Sequence, residues 1–175
     1  DMGFSIPSEI TTVDSDADGV VDRLVVGDTG GQIWRVDLAP LEISLSDPES
    51  TTVVGKLADI SGTAAAERRR FFEPASYLQQ NDSVFSNTPT YDYILIGTGY
   101  RPHPLDKDVE DRFYAIRDFQ PNAGSINDTN DNNIADTTEG YPQASGEAFS
   151  NSDLINITTT PLDASLDSNR ASAGW

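Results

Sequence analysis

The chain of 175 residues has no cysteine. Disulfides and thiolate metal ligands are therefore excluded, and cysteine usage gives no clue to compartment. Histidine occurs once, at His103 between Pro102 and Pro104. A zinc site built from Cys and His has no ligand set, and a Ser–His–Asp triad would have to use His103. No Gly-x-Ser-x-Gly elbow marks a nucleophile, so the chain is expected not to be an enzyme. Positive charge is scarce as well. Eleven Lys and Arg face 29 Asp and Glu, a formal charge of −18, and only Lys56 and Lys107 are lysines. That balance argues against nucleic acid and against docking on anionic lipid. No apolar run approaches the ~18 residues of a membrane helix, so no membrane insertion is expected. The opening D-M-G-F-S carries no visible signal-peptide pattern. The acidic, lysine-poor composition fits a secreted protein.

The acids are not evenly spread. Residues 14–22 read D-S-D-A-D-G-V-V-D. Oxygen ligands fall on alternate positions: Asp14, Asp16, Asp18, the carbonyl of Val20, then Asp22. A hard cation such as Ca²⁺ takes about six to eight oxygens, and Gly19 sits where an EF-hand loop turns sharply. Val25 stands where an EF-hand has its bidentate Glu, inside an apolar run. The pattern predicts a calcium loop leading into a β-strand rather than helix–loop–helix. The bland reading is a solvated acidic turn. A second, weaker copy lies at residues 128–139, with Asp128, Asn130, Asn132, the Ile134 carbonyl, Asp136 and Glu139 as candidate ligands and Asn133 in place of the turn glycine. Its alternative is an ordinary Asn/Asp loop. Two bound calcium ions would take the formal charge from −18 to −14.

Strand signals dominate. Residues 23–27, 32–38, 51–57, 93–97 and 112–117 are short runs rich in Val, Ile, Leu and aromatics, bounded by Gly, Asp or Pro, and 154–159 is a weaker sixth. One short helix is expected within 63–69. Two segments resemble each other: D-R-L-V-V-G-D-T-G-G-Q-I-W-R-V-D-L (22–38) and D-Y-I-L-I-G-T-G-Y-R…D-R-F-Y-A-I-R-D (92–118). Each is a strand, a glycine turn and a second strand ending in an aromatic, Val or Ile, then Asp. Gly97 follows Gly27 by 70 residues, longer than the ~40–50 of compact propeller repeats. The pattern favours an all-β partial β-propeller of about three blades, with long loops at 42–51 and 121–149; a β-sandwich is the alternative. A propeller needs about four or more blades to close, so residues 1–175 are expected to be a fragment of a single larger propeller domain. Gly27-Asp28-Thr29-Gly30-Gly31 fits a hairpin turn better than a phosphate cradle. Arg68-Arg69-Arg70 with Phe71 and Phe72 is the one basic-aromatic cluster, with a core aromatic and acid-paired arginines expected and a partner contact as the alternative.

Three stretches together resemble the C-terminal β-propeller of the PilY1/PilC family, the type IV pilus tip-associated adhesins. They are the calcium loop running into its hairpin, R-R-R-F-F-E-P-A (68–75), and G-T-G-Y-R-P-H-P-L-D-K-D-V-E-D-R-F-Y-A-I-R-D (97–118). The resemblance covers roughly residues 10–120, and the closing A-G-W is similar to the start of a further blade. It implies a large, extracellular, cell-surface protein at the pilus tip, secreted through the periplasm of a Gram-negative bacterium. It also implies minor pilins as partners, roles in pilus biogenesis, extension against retraction, twitching motility and adhesion to a host or surface receptor, and a calcium site that controls retraction. The ligands carried over are Asp14, Asp16, Asp18, Val20 and Asp22; the family loop often has Asn where Asp16 stands. Two other classes compete. A propeller-scaffold enzyme such as a quinoprotein dehydrogenase would carry a regular Trp-docking repeat, which is absent. An inert calcium-stabilised structural module of a secreted protein would lose its fold without calcium but leave pilus dynamics alone.

Overall fold

Short apolar runs that stop at glycine or aspartate become strands, because each buries a face and ends where the chain must turn. The computed structural model describes residues 2–15, 17–38, 52–80, 91–118, 148–154 and 156–158. It is all-β with two sheets. The strands are β1 (Thr11–Val13), β2 (Arg23–Gly27), β3 (Gln32–Asp37), β4 (Val53–Asp59), β5 (Ser76–Gln80), β6 (Tyr91–Gly97), β7 (Phe113–Asp118) and β8 (Phe149–Ser150). Sheet order is β1-β2-β3-β4-β8 in one sheet and β5-β6-β7 in the other. Neighbours are antiparallel except β8, which pairs in parallel with the end of β4 through Ala58 and Asp59.

The five main strand expectations match β2, β3, β4, β6 and β7 to within a few residues. Three strands were not expected: β1, β5 and β8. The sixth expected strand, 154–159, is corrected for its described residues, since Leu154 lies in a bend and 157–158 in a turn. The expected helix is a single 3₁₀ turn, Ala65–Glu67. The loop at 42–51, and all of 121–149 except its last two residues, lie outside the described residues.

The segment 27–31 is a hairpin turn locked by Asp28. Its buried carboxylate accepts from the N–H of Gly30 (2.8 Å) and Gln32 (3.0 Å), and from the Trp34 indole (3.0 Å). Gly31 takes φ +77°, which favours glycine there. Residues 60–75 then cross over this turn from β4 to β5: Ile60 donates to the Gly31 carbonyl and Phe71 to that of Asp28. Phe71 is fully buried and lies so close to Gly27 that a Cβ there would stand 2.5 Å from the Phe71 Cβ. β1 lies beside β5, tied by the Thr11 hydroxyl to the Ala75 carbonyl at 2.6 Å.

The core fills the space between the sheets. Val25, Ile33, Leu57, Ala58 and Ile60 meet Ile94, Ile96, Tyr114 and Ile116, with Phe71, Ala75 and Phe149 closing the sides. The two similar segments form hairpins of identical register: Gly27 pairs with Ile33 and Val26 with Trp34, as Gly97 pairs with Phe113 and Ile96 with Tyr114. Their equivalent positions face the same way in space. The β2–β3 face bearing Val25 and Ile33 enters the core, whereas its β6–β7 counterpart, bearing Leu95 and Phe113, faces away. Both outward faces are largely apolar, each with one cation set against an aromatic ring, Lys56 at Trp34 and Arg117 at Tyr93. Leu24, Val26, Trp34, Val36 and Val54 share one; Leu78, Tyr93, Leu95 and Phe113 share the other, with Phe113 67% exposed.

Candidate metal centre

The loop at 14–22 joins β1 to β2, and its base is closed by the Asp22 N–H donating to the Val13 carbonyl at 2.8 Å. Its carboxylates turn inward over the loop's own backbone. Asp14 accepts from the N–H of Asp18 at 3.2 Å and of Gly19 at 2.9 Å. Asp18 accepts from the N–H of Val20 at 2.7 Å. Asp22 accepts from both the N–H and the hydroxyl of Ser15, at 2.6 and 2.7 Å. Such a reversal needs left-handed backbone, supplied by Ala17 at φ +64° and Gly19 at φ +90°. The glycine stands where the sequence pattern required the sharp turn.

The structure therefore holds Asp14, Asp18 and Asp22 in one turn, together with Val20, whose N–H is engaged and whose side chain is half-buried. Asp16 lies outside the described residues, and among those described no three acids or histidines form a metal-sized group. The donor set nevertheless fits a hard cation. Every candidate ligand is oxygen, and a carboxylate that accepts one or two N–H bonds keeps lone pairs for an ion. The second candidate set, Asp128, Asn130, Asn132, Ile134, Asp136 and Glu139, lies outside the described residues.

Immediately after Asp22 begins a buried charge network. Arg23 Nε donates to Asp37 Oδ1 at 2.8 Å, and its Nη1 reaches across the sheets to Asp92 Oδ2 at 2.9 Å. Arg35 binds Asp37 through Nε at 2.8 Å and Asp118 through Nη1 at 2.6 Å. Arg23, Arg35, Asp37, Asp92 and Asp118 are all 0% exposed. Burial and Arg35 act to lower the Arg23 pKa, but Asp37 and Asp118 outweigh them and hold it above its ordinary value. Burial pushes Asp92 up, against the pull of Tyr77 and Arg23. Burial, and then Asp92, raise the Tyr77 phenol. Asp92 Oδ1 and the Tyr77 hydroxyl are both buried and act on each other without forming a well-aligned hydrogen bond. With three carboxylates against two guanidinium groups, proton binding at Asp92 relieves an excess of negative charge.

This network was missed from sequence because charged residues are ordinarily assigned to the surface. The available signal was periodicity: Arg23 and Val25 alternate on one face of β2, as do Ile33, Arg35 and Asp37 on β3. His103 is exposed in a turn and stands edge-on to Tyr100 at 6.4 Å. Arg68-Arg69-Arg70 divides: Arg69 is buried and donates to the Glu110 carbonyl, Arg68 is exposed, and Arg70 stacks on Tyr100 at 4.4 Å.

No protein-family model matches the chain, and no curated protein matches it. Among solved structures, the chain is similar to the crystal structure of the Pseudomonas aeruginosa PilY1 C-terminal domain, at 18% identity and a TM-score of 0.46. The match covers 81% of this chain, which spans 28% of the length of that structure.

Proposed function

We propose that the two sheets are consecutive blades of a β-propeller, and that residues 14–22 bind calcium in a type IV pilus tip adhesin or assembly factor. One observation carries the blade reading: equivalent positions of the two hairpins face the same way. Two blades related by rotation about a propeller axis do this. Two sheets of a sandwich instead point their apolar faces at each other and their polar faces at water. The apolar outward faces support the same reading, because each inner blade is covered on both sides. So does the placement of β1 beside β5 as inner strands, with residues 60–75 crossing from β4, next to the edge strand β8, to the inner strand of the next sheet.

The pilus assignment rests on the sequence resemblance at residues 14–38, 68–75 and 97–118. In this reading the module is non-catalytic. The ligands are Asp14, Asp16, Asp18, the Val20 carbonyl and Asp22, with the loop at 128–139 as a second candidate. Calcium supplies charge neutralisation among crowded carboxylates and binds the folded loop alone; at a hundredfold above Kd that is worth about 2.7 kcal/mol. Asp22 is followed by Arg23, so ordering the loop also fixes the entry of β2 into the network that joins the sheets. Minor pilins, the rest of the propeller and a host or surface receptor are the proposed partners, at the extracellular pilus tip.

A structure of the complete gene product tests the blade reading. The faces bearing Trp34 and Phe113 should each be covered by another four-stranded sheet; either face open to water contradicts it. Asp18→Ala and Asp22→Ala in the source cells test the pilus role. Altered surface piliation or twitching supports it, and unchanged pili with a calcium-dependent fold leave an inert structural module instead.

A further inference from the structure

The loop following β6 and the crossover segment are clamped together at one end of the sheets. Gly99 N–H donates to the Arg70 carbonyl at 3.0 Å, Glu110 N–H to that of Ala66 at 3.0 Å, and Arg69 Nε to that of Glu110 at 3.0 Å. Thr98 is fixed within this clamp: its N–H donates to the Arg112 carbonyl, and its hydroxyl both accepts from the Arg112 N–H and donates to Asp111 Oδ1 at 3.0 Å. The clamp shapes a cavity of about 230 Å³ lined by Phe72, Glu73, Thr98, Tyr100, Arg101 and Asp111, with Pro104 at its edge. Phe72 and Tyr100 are half-buried, with ring centroids 5.8 Å apart and planes inclined by 51°. Arg70 on Tyr100 braces this aromatic wall. Arg101 and Glu73 stand 3.7 Å apart with side chains 72% and 64% exposed, a loose pair that a ligand can separate.

We infer that this cavity is a binding site for a single saccharide ring. The lining chemistry selects that class. Two carboxylates, Glu73 and Asp111, oppose an anion, while Arg101 inside the cavity and Arg70 beside it oppose a cation. A neutral polyol is compatible with both, because each hydroxyl donates to a carboxylate and accepts from a guanidinium group. Its C–H face packs on the aromatic wall. The volume lies below the ~300–1,000 Å³ of drug-sized pockets, which suits one ring rather than a chain. Gly97 and Gly99 complete the lining, and Gly97 places the cavity at the border of the outward β6–β7 face; its walls are residues of this chain alone, so the inference does not rest on the blade reading.

The test is a chemical-shift titration of the full chain with free glucose, galactose, mannose, N-acetylglucosamine and N-acetylgalactosamine. Arginine and citrate serve as charged probes. The expected result is saturable binding of at least one sugar, with shifts at residues 72–73 and 98–101. Glu73→Gln and Arg101→Ala, both at exposed positions, should each weaken that affinity about tenfold, the loss of one charged hydrogen bond, with melting temperature unchanged. No saturable binding by any of the five sugars overturns the inference. So does sugar binding that survives both substitutions, or saturation by arginine or citrate alone.

Discussion

Replacing Arg23 by methionine removes the one guanidinium group that bridges Asp37 on its own sheet to Asp92 on the other. Asp37 keeps Arg35, at 2.8 Å through Nε. Asp92, at 0% exposure, loses its guanidinium partner and keeps only the Tyr77 phenol beside it. Breaking a buried pair from one side costs about 3–5 kcal/mol, because the orphaned charge cannot recover its water. For a chain of this size, that lowers the melting temperature by something of the order of 10 °C. The pH dependence has a definite sign. The folded-state pKa of Asp92 is raised, so protonation favours the folded chain, and its stabilising contribution is complete only below the unfolded value near 3.8. That contribution fades as pH rises through the folded value. The deficit of Arg23→Met should therefore shrink on acidification from neutral pH, and adding Asp92→Leu should recover much of it. Urea unfolding followed by tryptophan fluorescence across this range measures both effects. A loss below about 1 kcal/mol, the range of an exposed pair, with no pH dependence, refutes the network as drawn.

Other expectations follow from local geometry. Gly27→Ala forces a methyl against Phe71 and should cost about 1–3 kcal/mol by overpacking, whereas Gly97→Ala, whose nearest neighbour is Phe113 at 3.7 Å, should be tolerated; thermal melts of the pair decide it. Trp34→Phe leaves the buried Asp28 Oδ2 without its indole donor and should cost about 1–3 kcal/mol, read by urea unfolding. Gly19→Ala places a side chain at φ +90°, a strain of about 1–3 kcal/mol. It should weaken calcium binding in a titration and lower the metal-free melting temperature by about 2–12 °C.

How far the sequence could be read depended on how burial divides each strand. β2, β3, β6 and β7 were legible because each carries a run of aliphatic or aromatic residues ended by glycine or aspartate. β1 was hidden because it is only three residues long, too short to show a pattern although Thr and Val favour strands, and its place comes from pairing Thr11–Val13 against β2. β5 was hidden because Ser76, Leu78 and Gln79 are exposed, diluting the pattern. β8 is only two residues long and exists by pairing with β4. Residues 154–159 misled in the other direction: Leu154 packs against the core from outside any strand. The turn chemistry of the acidic loop was visible in its spacing, down to Gly19. The joining of the sheets through Arg23, Arg35, Asp92 and Asp118 was not, since these partners lie 69 and 83 residues apart and local patterns do not report such pairing. The cavity at Phe72 and Tyr100 was only hinted at by the basic-aromatic cluster, because its second wall comes from another loop.

The central claim is that residues 14–22 form a calcium site. Isothermal titration of calcium into the chelator-treated chain, repeated with Asp18→Ala and Asp22→Ala, tests it most directly. The account predicts saturable binding, with one site lost in each variant and a melting temperature that rises with calcium only when that site is intact. Equal binding in wild type and both variants, or no heat and no change in melting temperature, would contradict it and leave the loop an acidic turn closed by its own backbone.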